Sequence, residues 1–322
     1  MIALILIPLA LALAFSDLLG GEAERIAEDN GLDGYDPDAP SIYDEREVEF
    51  GTNTPDTLSG TNGDDALFAL GEADLVRAFA GDDLVEAGTN NDTVFGGAGD
   101  DLIGGGTGFD VLYGDAGDDA LLGNGGDDLL LGRAGDDLLV GGGGADSLNG
   151  GPGDDVLISG YVDTGEDGEQ DISATLLAAV RAQEDGSLDD VDFAALQADG
   201  ALNGVDTSFL SEATEPTQGG ALFGGSGDDV LVLSGGDTAE GGTGEDLFIL
   251  NEDMVDEHTV LISDFNAGED IIALEYHGAS APDLEVRDRD EDAVIFLGAE
   301  VIARIEGGAG LAVSDLRLLQ SA

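Results

Sequence analysis

The sequence predicts an all-β chain: a parallel β-roll (β-solenoid) of nonapeptide repeats, with a partly helical insertion and a β-rich C-terminal cap. Three observations predict it. Residues 51–158 divide into twelve consecutive nonapeptides without one insertion or deletion, and the sixth position is Asp in all twelve, from Asp56 to Asp155. The eighth position is Leu, Val or Ile in all twelve, from Leu58 to Leu157. Glycine, at 53 of 322 residues, gathers in the first four positions of the units. A fixed nine-residue period of this kind marks a solenoid, in which each repeat buries its apolar side chain only by stacking on its neighbours.

Each unit reads in two parts. The first six residues are glycine-rich and permit a tight turn with positive φ and close backbone approach. The last three, centred on the aliphatic eighth position, form a short strand with one side chain facing inward. Two units make a coil of eighteen residues, so the strands stack into two parallel sheets around a thin aliphatic core. The turns at each edge then stack as well, and the sixth-position aspartates fall into a column.

Charge decides what such a column requires. The chain carries 71 acidic and 9 basic side chains, a formal net charge of −62. Self-repulsion on this scale opposes compaction unless cations neutralise it. It also excludes nucleic acid and anionic lipid as partners, since both would be repelled. Yet 42% of residues are apolar, too many for a solvated acidic tail. Cysteine is absent, so neither disulfides nor thiolate metal sites hold the fold. Carboxylates stacked at the strand spacing of roughly 4.8 Å repel one another when empty. Ca²⁺ reverses that sign: it takes six to eight oxygen ligands, which Asp carboxylates and glycine carbonyls of neighbouring turns can supply. Mg²⁺ is smaller, stricter in geometry and slow to lose water, and suits such turns less well. Fifth-position acids such as Asp64, Asp82, Asp100, Asp118, Asp127, Asp136 and Asp154 add negative potential without all being ligands.

Units such as Gly96-Gly-Ala-Gly-Asp-Asp101-Leu-Ile103-Gly and Gly123-Asn-Gly-Gly-Asp-Asp128-Leu-Leu130-Leu resemble the calcium-binding nonapeptide of the RTX (repeats-in-toxin, hemolysin-type) family. The match is continuous over 51–158 and resumes near 219–249, where Asp229 and Asp246 lie seventeen residues apart, so one half-turn is irregular. The resemblance implies several Ca²⁺ ions held by sixth-position carboxylates with turn carbonyls. The carboxylates are those of Asp65, Asp83, Asp92, Asp101, Asp110, Asp119, Asp128, Asp137, Asp146, Asp155, Asp229 and Asp246. The glycines whose turns join them are Gly97, Gly99, Gly106, Gly108, Gly117, Gly126, Gly135, Gly144 and Gly153. The third to fifth units depart from the pattern, with Ala69, Ala78 and Ala87 at the first position, Leu70 and Phe79 at the second, and Glu72 and Asn90 at the fourth. Weak or absent calcium sites are expected there.

The flanks divide by composition. Residues 1–20 hold an uncharged apolar run followed at 21–50 by an acidic linker. At 2–15 the run is short for a spanning helix of about 20 residues, and Leu18 and Leu19 extend it only past Asp17. No Lys or Arg precedes it, although Ala12-Leu13-Ala14 offers a cleavage site, so a membrane anchor through residues 2–19 and a cleaved signal both stay open. Residues 161–218 interrupt the repeats. There Ile172, Leu176, Leu177 and Val180 have helical spacing behind a capping Asp171. Two echoes, 185–192 and 199–206, lack the leading acids of an EF-hand loop. The repeats resume over 219–249. Residues 250–322 carry longer strand-like runs that can cap the last coil. The stretch Ile262–Leu274 is similar to the segment that follows the repeats in type I secretion substrates, which implies a C-terminal secretion region and export.

Enzyme signatures find little room. His258 and His277 are the two histidines, and neither sits in H-E-x-x-H. Gly224-Gly-Ser226-Gly runs into Asp228 where a nucleophile elbow needs glycine. The expectation is a secreted, non-catalytic calcium-binding protein that folds on extracellular Ca²⁺ and serves as a surface or matrix protein of the adhesion type. A secreted hydrolase of the same family with an unrecognised active site is the alternative.

Overall fold

The computed structural model describes residues 47–160, 219–251, 258–277 and 281–321. These form two long sheets stacked face to face, and the chain alternates between them at every repeat. The eleven-stranded sheet is parallel throughout. It holds β1 (Glu47–Phe50), β3 (Asp65–Phe68), β5 (Leu84–Thr89), β7 (Leu102–Thr107), β9 (Ala120–Gly125) and β11 (Leu138–Gly143), then β13 (Val156–Ile158), β15 (Val230–Val232), β17 (Leu247–Asn251), β19 (Ile271–His277) and β23 (Arg317–Ser321). The twelve-stranded sheet holds β2 (Thr57–Ser59), β4 (Leu75–Ala80), β6 (Thr93–Ala98), β8 (Val111–Ala116), β10 (Leu129–Ala134), β12 (Ser147–Pro152), β14 (Ala221–Ser226), β16 (Thr238–Thr243) and β18 (Val260–Ile262). It ends in β22 (Glu300–Ile305), β21 (Asp292–Leu297) and β20 (Leu284–Arg289), which pair antiparallel and close the roll. The fold is therefore the parallel β-roll expected from the repeats.

Register follows the period. Leu112 pairs with Leu130 and Leu130 with Leu148, eighteen residues apart. All twelve eighth-position aliphatics fall in one buried cluster between the sheets. Fully burying each contributes about 1.5–3 kcal/mol. Most strands are six residues long, not three, because the ladder runs on through the glycine-rich start of the next unit, as in Phe79↔Gly97↔Asp115.

One feature of the packing exceeds the expectation of a single inward aliphatic per unit. On the eleven-stranded sheet from β9 to β17 the seventh and ninth positions, which face away from the core, are aliphatic as well. Leu122, Leu138, Val140, Val156, Ile158, Val230, Val232, Leu247 and Ala273 form a second buried cluster. Matched positions of the other sheet are mixed, with Val111, Leu129 and Leu131 beside Thr93, Phe95, Tyr113, Ser147 and Asn149, and the Phe95 and Tyr113 rings are stacked at 4.7 Å.

The repeats resume across the interruption without loss of register. Val156 pairs with Val230 and Ser147 with Ala221. Among the described residues no α-helix occurs, and a 3-10 turn spans Val313–Asp315. The helical spacing at 172–180, the apolar run at 2–19 and the linker to residue 46 lie outside the described residues. No described helix is long and apolar enough to cross a membrane.

Candidate metal centre

The sixth-position aspartates sit where each turn enters its strand, and alternate units place them on opposite edges of the roll. Two rows result. The long row, at the entry to the eleven-stranded sheet, runs Asp65, Asp83, Asp101, Asp119, Asp137, Asp155, Asp229, Asp246 and Asp270. The short row runs Asp56, Asp74, Asp92, Asp110, Asp128 and Asp146, then Gly220, then Asp237. Hydrogen bonds define both rows. Each carboxylate reaches back one coil, and its Oδ1 accepts from the backbone N–H of the preceding member. Asp101 N–H donates to Asp119 Oδ1 at 2.8 Å, Asp119 to Asp137 at 2.8 Å and Asp137 to Asp155 at 2.8 Å. The long row crosses the interruption, Asp155 N–H to Asp229 Oδ1 at 2.8 Å, and continues through Asp246 to Asp270.

The fifth-position acids run the opposite way. Asp100 Oδ1 accepts from Asp118 N–H at 3.0 Å, Asp118 from Asp136 at 2.9 Å and Asp136 from Asp154 at 2.9 Å. A turn with an acid at both positions is thus tied to both neighbours, forward by its fifth residue and backward by its sixth. Those acids satisfy backbone donors at the exposed rim as well as adding charge.

The other oxygen of the sixth-position carboxylates defines the site. Asp74, Asp83, Asp92, Asp101, Asp110, Asp119, Asp128, Asp137, Asp146, Asp155 and Asp229 each hold a buried Oδ2 with no hydrogen-bond partner. The residues themselves are at most 4% exposed. An unpartnered buried carboxylate oxygen costs free energy, and eleven in register demand a physical reason. Protons respond to the same environment. Burial pushes Asp101, Asp137 and Asp229 up to about 8, and Asp119, Asp146 and Asp155 to about 7. Neighbouring carboxylates add to the rise, and the Oδ1 hydrogen bond offsets part of it. Asp92, Asp110, Asp128 and Asp246 rise to about 6 for the same leading cause.

Room beside Oδ2 comes from the first position of the unit. A Cβ on Gly96, Gly114, Gly132, Gly150 or Gly224 would stand 2.1–2.3 Å from the Oδ2 of its own unit's aspartate. The space is open because those residues are glycine. Ala69, Ala78 and Ala87 place a buried methyl there in the units of Asp74, Asp83 and Asp92. The early units are therefore set apart by a filled first position, while their turn backbone is retained. Leu70, Phe79, Glu72 and Asn90 all hold positive φ, between 73° and 84°.

All nine predicted turn glycines, Gly97, Gly99, Gly106, Gly108, Gly117, Gly126, Gly135, Gly144 and Gly153, have positive φ and lie at the second or fourth position of their turns. Their freedom is needed for stacking as well as for φ. A Cβ on Gly97 would meet the Phe79 carbonyl oxygen at 1.9 Å, and one on Gly99 the Gly81 carbonyl oxygen at 2.3 Å. Backbone oxygens of one coil thus press against the next. Among the described residues no three acidic or imidazole side chains converge as a metal cluster. An ion here must draw on carbonyls beside the orphaned carboxylate oxygens, which is the mixed oxygen set that suits Ca²⁺. The residues present fit that ion.

A family model for the RTX calcium-binding nonapeptide repeat (four copies) matches residues 50–78, 77–112, 95–130, 131–160 and 221–237. Those residues are RTX calcium-binding nonapeptide repeats. RTX repeats bind calcium ions at multiple sites, and proteins that carry them are typically secreted. No curated protein matches the chain. Among solved structures, the extracellular lipase LipA from Serratia marcescens is similar at 14% identity and a TM-score of 0.24, over 82% of this chain and 40% of that one. The chain thus spans less than half the length of that lipase.

Of the twelve aspartates expected from the sequence, ten carry an unpartnered buried Oδ2, and Asp65 and Asp246 do not appear among them. Asp65 differs, since its Oδ2 accepts from Thr61 N–H. Asp74, left out for its atypical unit, carries an orphaned Oδ2 as those ten do. Asp237 and Asp270 were missed, because the units that lead to them, Ser234-Gly-Gly-Asp237 and Asn266-Ala-Gly-Glu-Asp270, break the nonapeptide frame. The signal that could have found them was distance from the next strand: each directly precedes one, Thr238 or Ile271.

Proposed function

We propose that this RTX chain is a non-catalytic, calcium-folded module of a secreted surface or matrix protein, used for adhesion. The eleven orphaned Oδ2 atoms carry the reading, because they make the roll itself the functional element: its turns are complete only with a cation. Calcium, when bound, supplies the positive charge that these turns lack. The chain's own part is to align the carboxylates, holding each Oδ1 on a backbone N–H so that Oδ2 is presented inward. Glycine at the first position keeps the space beside Oδ2 clear. At cytosolic calcium the like-charged turns repel and the chain is poorly folded, suited to threading through an export channel. At roughly millimolar extracellular calcium, sites of extracellular-module affinity fill, and ligands that bind only the folded state drive folding by mass action.

The non-catalytic part rests on the absence of a nucleophile elbow and of a zinc-helix motif from the sequence. It is tested by assaying the calcium-loaded full chain against ester and peptide substrates, alongside its retention on the surface of producing cells. Calcium-dependent retention without turnover is the expected result. Turnover abolished by substitution of a single side chain would replace this reading with the hydrolase.

A further inference from the structure

The two rows end in a way that the repeats do not announce. In twelve turns, those of Asp74, Asp92, Asp110, Asp128 and Asp146 in the short row and of Asp83 to Asp246 in the long row, the second position has positive φ. Its residue takes part in the strand ladder, as Gly97 does against Asp115. In the four remaining turns the residue near the start of the turn does not take positive φ, and its N–H instead binds the turn's own carboxylate. Thr52 N–H donates to Asp56 Oδ2 at 2.6 Å and Thr61 N–H to Asp65 Oδ2 at 2.5 Å. Ser234 N–H donates to Asp237 Oδ2 at 2.6 Å and Asn266 N–H to Asp270 Oδ2 at 2.7 Å. These four aspartates are the first and last members of the two rows.

We propose that Asp56, Asp65, Asp237 and Asp270 are end caps, and that calcium is confined to the open turns between them. The proposal rests on the calcium reading above and adds where the ions stop. A carboxylate whose second oxygen already accepts a backbone N–H offers a cation less than the buried and unpartnered Oδ2 of an interior member such as Asp119 does. Local sequence sets the cap. β-Branched Thr at the second position disfavours positive φ, keeping its N–H on the carboxylate four residues ahead. At the other end of the short row the turn is one residue shorter, and Ser234 reaches Asp237 across three residues. The short row closes early for a second reason. Gly220 stands where a sixth-position aspartate would, so the coil after Asp146 supplies no carboxylate, and Gly220 N–H donates to the capping Asp237 at 2.7 Å. The two edges therefore hold unequal numbers of ions, the long row carrying on past the interruption and the short row ending at it.

The test counts calcium ions on the full-length folded chain by native mass spectrometry, with equilibrium dialysis as a second measure. Asp119→Asn, Asp65→Asn and Asp237→Asn are compared with the parent chain. Asn keeps one acceptor oxygen, so the capping bond of Asp65 survives in it and Asp237 keeps one of its two, while a cation ligand is lost. Asp119→Asn is expected to lower the count by about two ions, because an interior member borders two neighbouring turns. Asp65→Asn and Asp237→Asn, at opposite ends of different rows, are expected to leave the count unchanged. A loss at either end equal to that of Asp119→Asn overturns the caps and leaves the calcium reading standing. An unchanged count in all three overturns both.

Discussion

Asp137 shows the conflict that a single side chain holds in this roll. One oxygen is satisfied by the Asp119 N–H at 2.8 Å, and the other is buried without a partner. Burial pushes the group up to about 8, far above the roughly 3.9 of an unfolded Asp. A group raised on folding binds its proton more tightly in the native state. Its contribution to the calcium-free roll is fully present below the unfolded value and is lost as pH rises through the folded one. With the shifted groups of the two rows spread from about 6 to about 8, EDTA-treated protein is expected to lose thermal stability as pH rises from about 4 to about 8. Calcium reverses the trend, since its ligands must be deprotonated, and the calcium-bound midpoint should rise over the same interval. Thermal melts at several pH values, with EDTA and with calcium, check both directions. The neighbouring Gly132 gives a complementary prediction. A Cβ there would lie 2.2 Å from Asp137 Oδ2, and its φ is not in the positive region, so Gly132→Ala fills the site without straining the backbone. Calorimetric titration should show weaker calcium binding in the variant, with the far-UV spectrum retained at saturating calcium.

At the scale of the element, the repeat announced where each strand and each turn falls. The eighth-position aliphatics all reached the core because a side-chain period of two inside a nine-residue unit leaves one central residue facing in. Leu130 is fully buried there, and Leu130→Ala is expected to cost about 2–5 kcal/mol, read as a lower denaturant midpoint in saturating calcium. The sixth-position Asp likewise announced both rows. What was less legible lay where tertiary packing, not the period, decides. Strand length came from ladder pairing through Gly97 and its counterparts, which no single unit displays. Asp65 kept the repeat's Asp but lost its free oxygen to Thr61, a difference of φ at one neighbouring residue. Asp237 and Asp270 took row positions from units of irregular length. The second aliphatic layer at Val156, Ile158, Val230 and Val232 was written in the seventh and ninth positions of alternate units, a period of eighteen that a nine-residue reading averages away.

For the whole molecule the balance is between a formal charge of −62 and a core one side chain wide. Each coil contacts only its neighbours, so stability is a sum of coil and interface contributions, and filling one turn organises the next. Asp128, in the middle of the short row, borders open turns on both sides. Asp128→Ala should therefore shift calcium-induced folding to higher calcium and make the transition less steep. The C-terminal hairpins β20–β22 close the twelve-stranded sheet with an antiparallel edge, so the roll ends in a different pairing from the one that propagates it.

The most direct test of a calcium-completed fold is far-UV circular dichroism of EDTA-treated protein at neutral pH, titrated with CaCl₂ and in parallel with MgCl₂. A cooperative gain of β signal with calcium and none with magnesium is the predicted result. A spectrum already β-rich in EDTA and indifferent to calcium would contradict the account, because the orphaned carboxylates would then be stable without the ion they are held to require.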